Sequence, residues 1–210
     1  MQRDASRMAL AALHRAGIEW PDAIIASTAL GCLDDTERFL TDMHDAAGAL
    51  LSPLPFMRST HNTLAGQLAL MLRCDGPNIT HAQGVQGFHA SLVEAMLMLQ
   101  EHPEWRILLI AIDERTELLE RVVGALDPAA RVGAGGEAFV LTGMAQPDDA
   151  ARINWLEASG GAPLAPDASN GMHGSLIAQQ VGEALSLGAR TPLRIGSGVG
   201  DATDLLITPC

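Results

Sequence analysis

The sequence is poor in basic residues, and it lacks any long apolar run. Thirteen Lys and Arg stand against 25 Asp and Glu, which gives a formal net charge of −12. Nucleic-acid binding needs clustered Lys and Arg that neutralise phosphates, so this balance disfavours a nucleic-acid partner. No stretch reaches about 18 apolar residues, and we therefore expect no membrane-spanning helix. The opening residues, 1–7, lack the apolar segment of a signal peptide.

Cysteine and aromatic residues are also scarce. The three cysteines, Cys32, Cys74 and Cys210, are too irregularly spaced to predict a disulfide framework or a zinc site. Unpaired thiols are typical of a reducing compartment, so a cytoplasmic protein is expected. Aromatic residues make up 3% of the chain and Tyr is absent, whereas Ala and Gly are abundant. This composition favours close packing of helices on a sheet over an aromatic ligand cage.

No cofactor is predicted from the glycine-rich stretches. Residues 133–136 and 196–200 lack the following G-K-[ST] of a phosphate-binding loop. Neither stretch lies in the strand–turn–helix setting, with a later acidic residue, that a dinucleotide site requires. Both are interpreted as turns.

Apolar periodicity predicts strands that alternate with helices, which is typical of an α/β layer fold. Helices are predicted over residues 5–16, 34–51, 60–73, 87–100, 117–126 and 176–187, with a break at 52–55. Strands are predicted over residues 23–27, 78–82, 106–112, 137–142, 151–158, 193–195 and 205–207. The segment 159–174 is rich in Gly, Ala, Pro, Ser and Asn. We therefore expect a well-patterned domain over 1–158 and a tail over 159–210 that packs on it.

Several segments, in order, resemble the N-terminal half of β-ketoacyl synthases. The most informative runs from Gly76 to Ala95, G-P-N-I-T-H-A-Q-G-V-Q-G-F-H-A-S-L-V-E-A, and joins a Gly-Pro turn, a strand and a helix. Three resembling segments precede it: I-I-A-S-T-A-L-G at 24–31, S-P-L-P-F at 52–56 and S-T-H-N-T-L-A-G at 59–66. Two follow it: a strand ending in D-E at 113–114, and G-G-E-A-F-V-L at 135–141. The S-x-H-N-x-x-A-G form is similar to a chain-length-factor-like subfamily from clusters for aryl polyenes and related polyketides. The resemblance covers roughly residues 5–158.

What the resemblance implies is a thiolase-like fold, a mixed sheet covered by helices, in a protein of fatty acid or polyketide biosynthesis. Ketosynthases carry a nucleophilic cysteine at the bend between the strand and the helix of the Gly76–Ala95 segment. Counted from Gly76-Pro77, that position falls on Val85, or on Gln86 if the register slips by one residue. Neither side chain can form a thioester, so we expect no catalytic residue there.

The chain also departs from ketosynthases beyond this segment. The family's two catalytic histidines lie in a second half, in H-G-T and G-H contexts, for which this chain has too few residues. His173 follows the reverse order, H-G, and residues 196–201 contain no histidine. The family's first strand would precede Met1, so it is either missing or replaced, and residues 159–210 are one possible source.

The resemblance further implies a place in a complex. The strand at Asn78, Ile79, Thr80, His81 and Ala82 would lie at a two-fold dimer seam, pairing edge to edge with an active ketosynthase subunit. An acyl carrier protein would be reached through that complex, and a homodimer is the alternative if the partner is absent. The candidates for lining the acyl tunnel are Val85, Gln86, Phe88, His89 and Met96. Ordinary core packing is the alternative interpretation of Phe88 and Met96.

Two other classes of function remain open from the residues. The first is an acyl-thioester transferase or hydrolase that uses His81 or His89 with water or a hydroxyl. The second is a homodimeric binding module. Against the first, no Ser or Cys lies in a nucleophile-elbow context. A hydrogen-bonded structural role is the more common one for such histidines, and for His61, which we expect near a helix cap.

Overall fold

The computed structural model describes residues 1–46, 50–128, 132–144, 151–156, 174–187, 191–195 and 203–209. The helices are α1 (Gln2–Arg15), α2 (Leu33–Asp45), α3 (Pro53–Ser59), α4 (Thr63–Leu72), α5 (Gly87–Glu101), α6 (Glu117–Leu126) and α7 (Gly174–Leu187), with a 3-10 turn at Gly84–Gln86. The strands are β1 (Ala23–Thr28), β2 (Asn78–Ala82), β3 (Arg106–Asp113), β4 (Gly135–Thr142), β5 (Ala151–Leu156), β6 (Thr191–Ile195) and β7 (Thr203–Pro209).

Four strands form a mixed sheet in the order β2-β1-β3-β4. Strand β1 runs parallel to both β2 and β3, whereas β4 pairs antiparallel to β3. Every residue of β1 is buried, and β3 is buried from Ile107 to Asp113. These two strands are the near-continuous apolar runs of the sequence, as expected for strands covered on both faces.

Helices cover both faces of this sheet, because successive side chains of each strand point to opposite sides. Ile24 and Ala26 of β1 pack in one core with residues of α1 and α4. Ala23 and Ile25 pack in a second core with residues of α5 and α7. The predicted α/β layer architecture is therefore observed as two helical layers around a central sheet.

Strand β5 and the two strands of the tail, β6 and β7, form a separate antiparallel sheet in the order β5-β7-β6. Strand β1 already has a parallel neighbour on each side, β2 and β3. Within the described ranges, therefore, no tail strand enters the four-stranded sheet in place of the family's first strand. Helix α7 instead links the two parts, since Ala178 and Val181 are buried in the core that α5 shares with the sheet.

Two local boundaries differ from the sequence prediction. Helix α2 ends at Asp45 instead of continuing to residue 51, and the predicted break at 52–55 is largely helical. The Ser52 side chain accepts a hydrogen bond from the Leu54 backbone N–H (3.4 Å), and Pro53 occupies the first turn of α3. Ser at the N-cap with Pro at the first helical position is a helix start signal, and it explains α3.

Among the helices described, none combines the length and the apolar character that crossing a membrane requires.

Candidate functional site

The turn between β2 and α5 is the segment that the sequence resemblance equates with the nucleophile position of ketosynthases. The 3-10 turn at Gly84–Gln86 follows Gln83, and Gln86 is the N-cap residue of α5. Gly84 has φ of +57°, in the left-handed region that glycine adopts without steric cost, and its N–H donates to the Ala29 carbonyl (3.2 Å). The reversal is therefore tied to the end of β1. Val85 lies in the middle of the turn.

Helix α5 begins in direct contact with the ends of the two parallel strands. A Cβ at Gly87 would lie 3.2 Å from the Thr28 carbonyl oxygen and 3.3 Å from that of His81. Such contacts are tighter than side chains normally make, so glycine lets the helix start close to the sheet. One residue later, Phe88 is buried in the core, with its ring centroid 6.1 Å from that of Phe139. Phe88 is thus packed between α5 and the sheet.

The turn contains no thiol, and the two described cysteines are poorly suited to replace one. Cys32 is the N-cap residue of α2 and is almost fully buried. Burial, followed by the charges of Glu114 and Asp35, raises the pKa of the Cys32 thiol to about 11. Cys74 lies before β2, and burial also raises the pKa of its thiol. Both stay protonated at neutral pH, whereas the nucleophile is the thiolate. Cys210 lies outside the described residues.

The histidines named by the sequence occupy three different environments. His81 of β2 is the register partner of Ser27 on β1, so both side chains face the α5 side of the sheet. His81 Nε2 and Ser27 Oγ are buried, and neither makes a hydrogen bond within the described part of the chain. Burial lowers the pKa of His89 on α5, which favours its neutral form. His61 precedes the α4 N-cap, Asn62, and its imidazole occupies the space beside Gly31.

The carboxyl end of β3 fixes the loop that follows β1, beside this turn. Asp113 Oδ1 accepts hydrogen bonds from the Ala29 N–H (2.6 Å) and the Thr28 hydroxyl (3.2 Å). The Thr28 hydroxyl in turn accepts from the Gly31 N–H (3.1 Å). In the sequence, the D-E pair at 113–114 is only part of a resemblance and has no assigned role. The feature that could have indicated a role for Asp113 is a carboxylate at the end of a buried apolar strand.

Strand β2 forms one edge of the four-stranded sheet, since β1 is its one pairing partner among the described residues. The Ile24 N–H donates to the Pro77 carbonyl (2.9 Å), and alternation along the strand then directs the backbone groups of Asn78, Thr80 and Ala82 outward. The Asn78 side chain donates to the Ala65 carbonyl of α4 (2.7 Å), which anchors the start of the strand.

The exposure of β2 differs from that of its neighbours. Ile79, Thr80, His81 and Ala82 are only partly buried, whereas β1 is buried throughout. Helices α4 and α5 pack against β2, so the faces of the strand are protected, and no strand of the described residues pairs with its outer edge. An open edge of this kind is a template for pairing with another chain.

The part of the chain that the structure describes contains no candidate metal-binding site. There, no group of three or more His, Cys, Asp or Glu is arranged to hold a metal ion.

Comparison with known proteins identifies the family. Residues 3–119, more than half of the chain, match the family described as "Beta-ketoacyl synthase, N-terminal domain". No curated protein matches the sequence.

Solved structures show the same fold. The complex of the ketosynthase ApeO with its chain length factor ApeC from Xenorhabdus doucetiae is similar, with a TM-score of 0.69, 17% identity, 99% of this chain covered and 76% of that chain. The ishigamide ketosynthase/chain length factor gives a TM-score of 0.51 at 20% identity, over 56% of this chain and 34% of that one. A β-ketoacyl synthase from Burkholderia phymatum STM815 gives 0.55 at 16% identity, over 66% and 40%.

The chain thus spans about three quarters of the ApeO/ApeC neighbour and well under half of the other two. At these identities the likeness concerns the fold. Together with the family match, it confirms the predicted ketosynthase-like, thiolase-like architecture. The chain belongs to the β-ketoacyl synthase N-terminal domain family.

Proposed function

We propose that this protein is a catalytically silent, chain-length-factor-like subunit that pairs with an active β-ketoacyl synthase and shapes the acyl tunnel. The observation that carries the proposal is the open β2 edge, which leads directly into a nucleophile turn without a thiol. The fold supports the same role, because similar solved structures include ketosynthase/chain length factor pairs. The partner would supply the cysteine and the two histidines that this chain does not provide.

Catalytic silence is supported by the chemistry of the described thiols. Condensation requires a thiolate that carries the acyl chain and donors that hold the developing oxyanion. The amino end of α5 keeps its location next to β1 and β2, but the segment Gln83–Gly87 holds no nucleophile. Cys32 and Cys74 lie elsewhere and have raised pKa values.

The tunnel-lining role rests on the residues around the start of α5. Val85 and Gln86 lie in the turn, His89 is half-buried one turn into the helix, and Met96 is half-buried against the core. Phe88 would act indirectly, because it sets how closely α5 packs on the sheet. We propose that the volume at His89 and Met96 contributes to the chain-length limit of the complex. The carrier protein, the pathway and a cytoplasmic location stay predictions of the sequence.

The test is co-expression with each cysteine-bearing ketosynthase of the same genome, followed by affinity purification and native mass spectrometry. A stable one-to-one complex is expected. Thr80→Pro should abolish it, because proline removes an outward N–H from the β2 edge. Thr80→Val is the matched control, since it keeps the N–H and removes only a hydroxyl that has no hydrogen-bond partner among the described residues. Circular dichroism of both variants verifies folding.

Two results would overturn the proposal. One is a monomer that binds none of these ketosynthases. The other is a covalent acyl adduct on this chain after incubation with acyl thioesters. A homodimer without affinity for a ketosynthase would instead favour the binding module.

A second candidate function is an acyl-thioester hydrolase or transferase, and one observation favours it. The unpartnered His81 Nε2 and Ser27 Oγ lie on neighbouring strands beside the start of α5. Ser27 is completely buried, however, so a substrate has no route to its hydroxyl in this conformation. Thioester turnover that disappears in both His81→Ala and Ser27→Ala would establish this activity, and turnover lost in His89→Ala would assign it to His89.

A further inference from the structure

The α2–α3 hairpin presents an apolar surface that the rest of the described chain leaves uncovered. The two helices pack on each other, and the rings of Phe39 and Phe56 lie 5.3 Å apart. Helix α2 nevertheless has no buried residue, and α3 buries only Pro55. The large apolar side chains in this region that are more than a third exposed are Leu40, Met43, Leu50, Leu51, Leu54, Phe56 and Met57. We call these seven side chains the hairpin patch.

The size of the hairpin patch marks it as an interaction site. Side chains of this kind at roughly half exposure contribute about 60–100 Å² each, so the seven sum to about 400–700 Å² of apolar surface. Contiguous patches above a few hundred Å² on a monomer usually serve binding. A stable heterodimer needs roughly 800 Å² from each partner, far more than the edge of one five-residue strand supplies.

The patch lies in the same helical layer as the flank of the β2 edge. Helix α3 packs on α4, and α4 packs directly on β2. The roughly 400–700 Å² of the hairpin patch falls short of the roughly 800 Å² that each partner contributes to a standard interface, and the β2 edge would add to it. The area therefore favours one large interface that includes both.

The acidic residues around the hairpin patch indicate which kind of partner would bind it. The segment from Leu33 to Ser59 carries five carboxylates against two arginines, and Asp42 and Asp45 lie exposed beside Met43. A second copy would bring the same acidic rim, on a chain whose net charge is already −12. Like charges across an interface are unfavourable, so self-association is disfavoured. A partner with an apolar face bordered by Lys and Arg fits this surface.

We infer that the hairpin patch is the second contact area for the ketosynthase subunit, and that the partner meets it with an apolar surface rimmed by basic residues. The inference rests on the proposed function. In the complex, the β2 edge would supply register through main-chain hydrogen bonds, and the hairpin patch would supply most of the buried apolar area.

The test uses the co-expressed complex and matched Leu→Gln substitutions. Leu40 of the patch and Leu10 of α1 are 51% and 50% exposed, so they differ in location and not in exposure. The double variant Leu40→Gln/Met57→Gln should raise the Kd at least about 10-fold, as expected for central apolar contacts. Leu10→Gln should stay within about 3-fold of wild type, as expected for a surface site outside the interface.

Two further readouts probe the same surface. Hydrogen exchange of peptides covering residues 33–45 and 53–59 should slow on complex formation. Asp42→Asn with Asp45→Asn should lower the association rate at low salt and lose that effect at high salt, because rim charges act chiefly on encounter.

The outcomes separate this inference from the proposed function. A wild-type complex whose affinity is unchanged by Leu40→Gln/Met57→Gln, with no hydrogen-exchange protection of the hairpin, overturns the inference and leaves the proposed function standing. A homodimer that the same double variant dissociates assigns the patch to a second copy and also overturns it. Absence of any ketosynthase complex removes both.

Discussion

Gly76 and Gly66 should respond in opposite directions to the same added methyl group. Gly76 precedes β2, and a Cβ there would lie 1.9 Å from the Asp22 carbonyl oxygen. That carbonyl cannot retreat easily, because the Asp22 N–H donates to the Arg106 carbonyl (2.8 Å) and its carboxylate accepts from the Arg106 N–H (2.8 Å). Gly66 lies within α4, and a Cβ there would meet nothing within 4 Å.

The expected magnitudes follow from these two environments. Gly76→Ala forces backbone against backbone, and such overpacking should lower the free energy of unfolding by about 2–4 kcal/mol. Gly66→Ala adds a better helix former in open space and should raise it by about 0.5–1 kcal/mol. With a urea m-value of about 2–3 kcal/mol/M for a chain of this length, the first change moves the midpoint down by roughly 1 M.

Urea titrations followed by circular dichroism measure both variants against wild type. Binding to the ketosynthase partner provides a second readout, since displacement of the β2 start should weaken the complex in Gly76→Ala and not in Gly66→Ala. If Gly76→Ala is as stable as wild type, the close contact with Asp22 is wrong. If Gly66→Ala lowers the midpoint, the open space beside Gly66 is wrong.

Three other perturbations test separate features of the structure. With a pKa of about 11, the Cys32 thiol should be thiolate in only about one molecule in 10⁴ at pH 7. In a Cys210→Ser background, iodoacetamide should therefore label Cys32 of the native protein at least about 100-fold more slowly than in urea. Labelling is measured by peptide mass spectrometry, and rapid labelling of native Cys32 would contradict this expectation. The Arg106 hydrogen bond lowers the pKa of Asp22, so its stabilisation is present above the unfolded value of about 3.9 and is lost as pH falls through the folded-state pKa. Because the pair is partly exposed to solvent, the effect should stay below about 1 kcal/mol. Arg106→Gln should remove this pH dependence of stability, and an unchanged dependence would refute the assignment. Asp113→Asn replaces a buried acceptor of the Ala29 N–H and should cost roughly 1–3 kcal/mol in urea unfolding, and a neutral result would show that the loop after β1 does not depend on it.

The parts of the fold that could be predicted are those whose burial is uniform along the segment. Strands β1 and β3 are apolar runs in the sequence because both of their faces are covered. Helix α3 was missed because two prolines suggested a break, although Ser52-Pro53 was a start signal. The pairing of β5, β7 and β6 into their own sheet was not accessible, since short apolar strands do not encode their neighbours.

The site was predictable only in part. The location of the turn before α5 came from the resemblance, and the absence of a cysteine there is a property of the sequence itself. Whether Val85 or Gln86 replaces the nucleophile stays a prediction. The role of Asp113 was inaccessible because its partners Thr28 and Ala29 lie about 84 residues earlier, and periodicity carries no information on such distant contacts.

The direct pairing of β1 with β3 has a consequence for how the chain folds. Ala23 pairs with Ile107, so the centre of the sheet joins segments that are synthesised far apart in time. During translation, β1 can pair with β2 once residues 78–82 have left the ribosome, but its other edge stays unpaired until β3, residues 106–113, has followed. Such non-local topologies fold slowly and aggregate readily, so yield in recombinant expression should depend on chaperone capacity and on slow synthesis at low temperature.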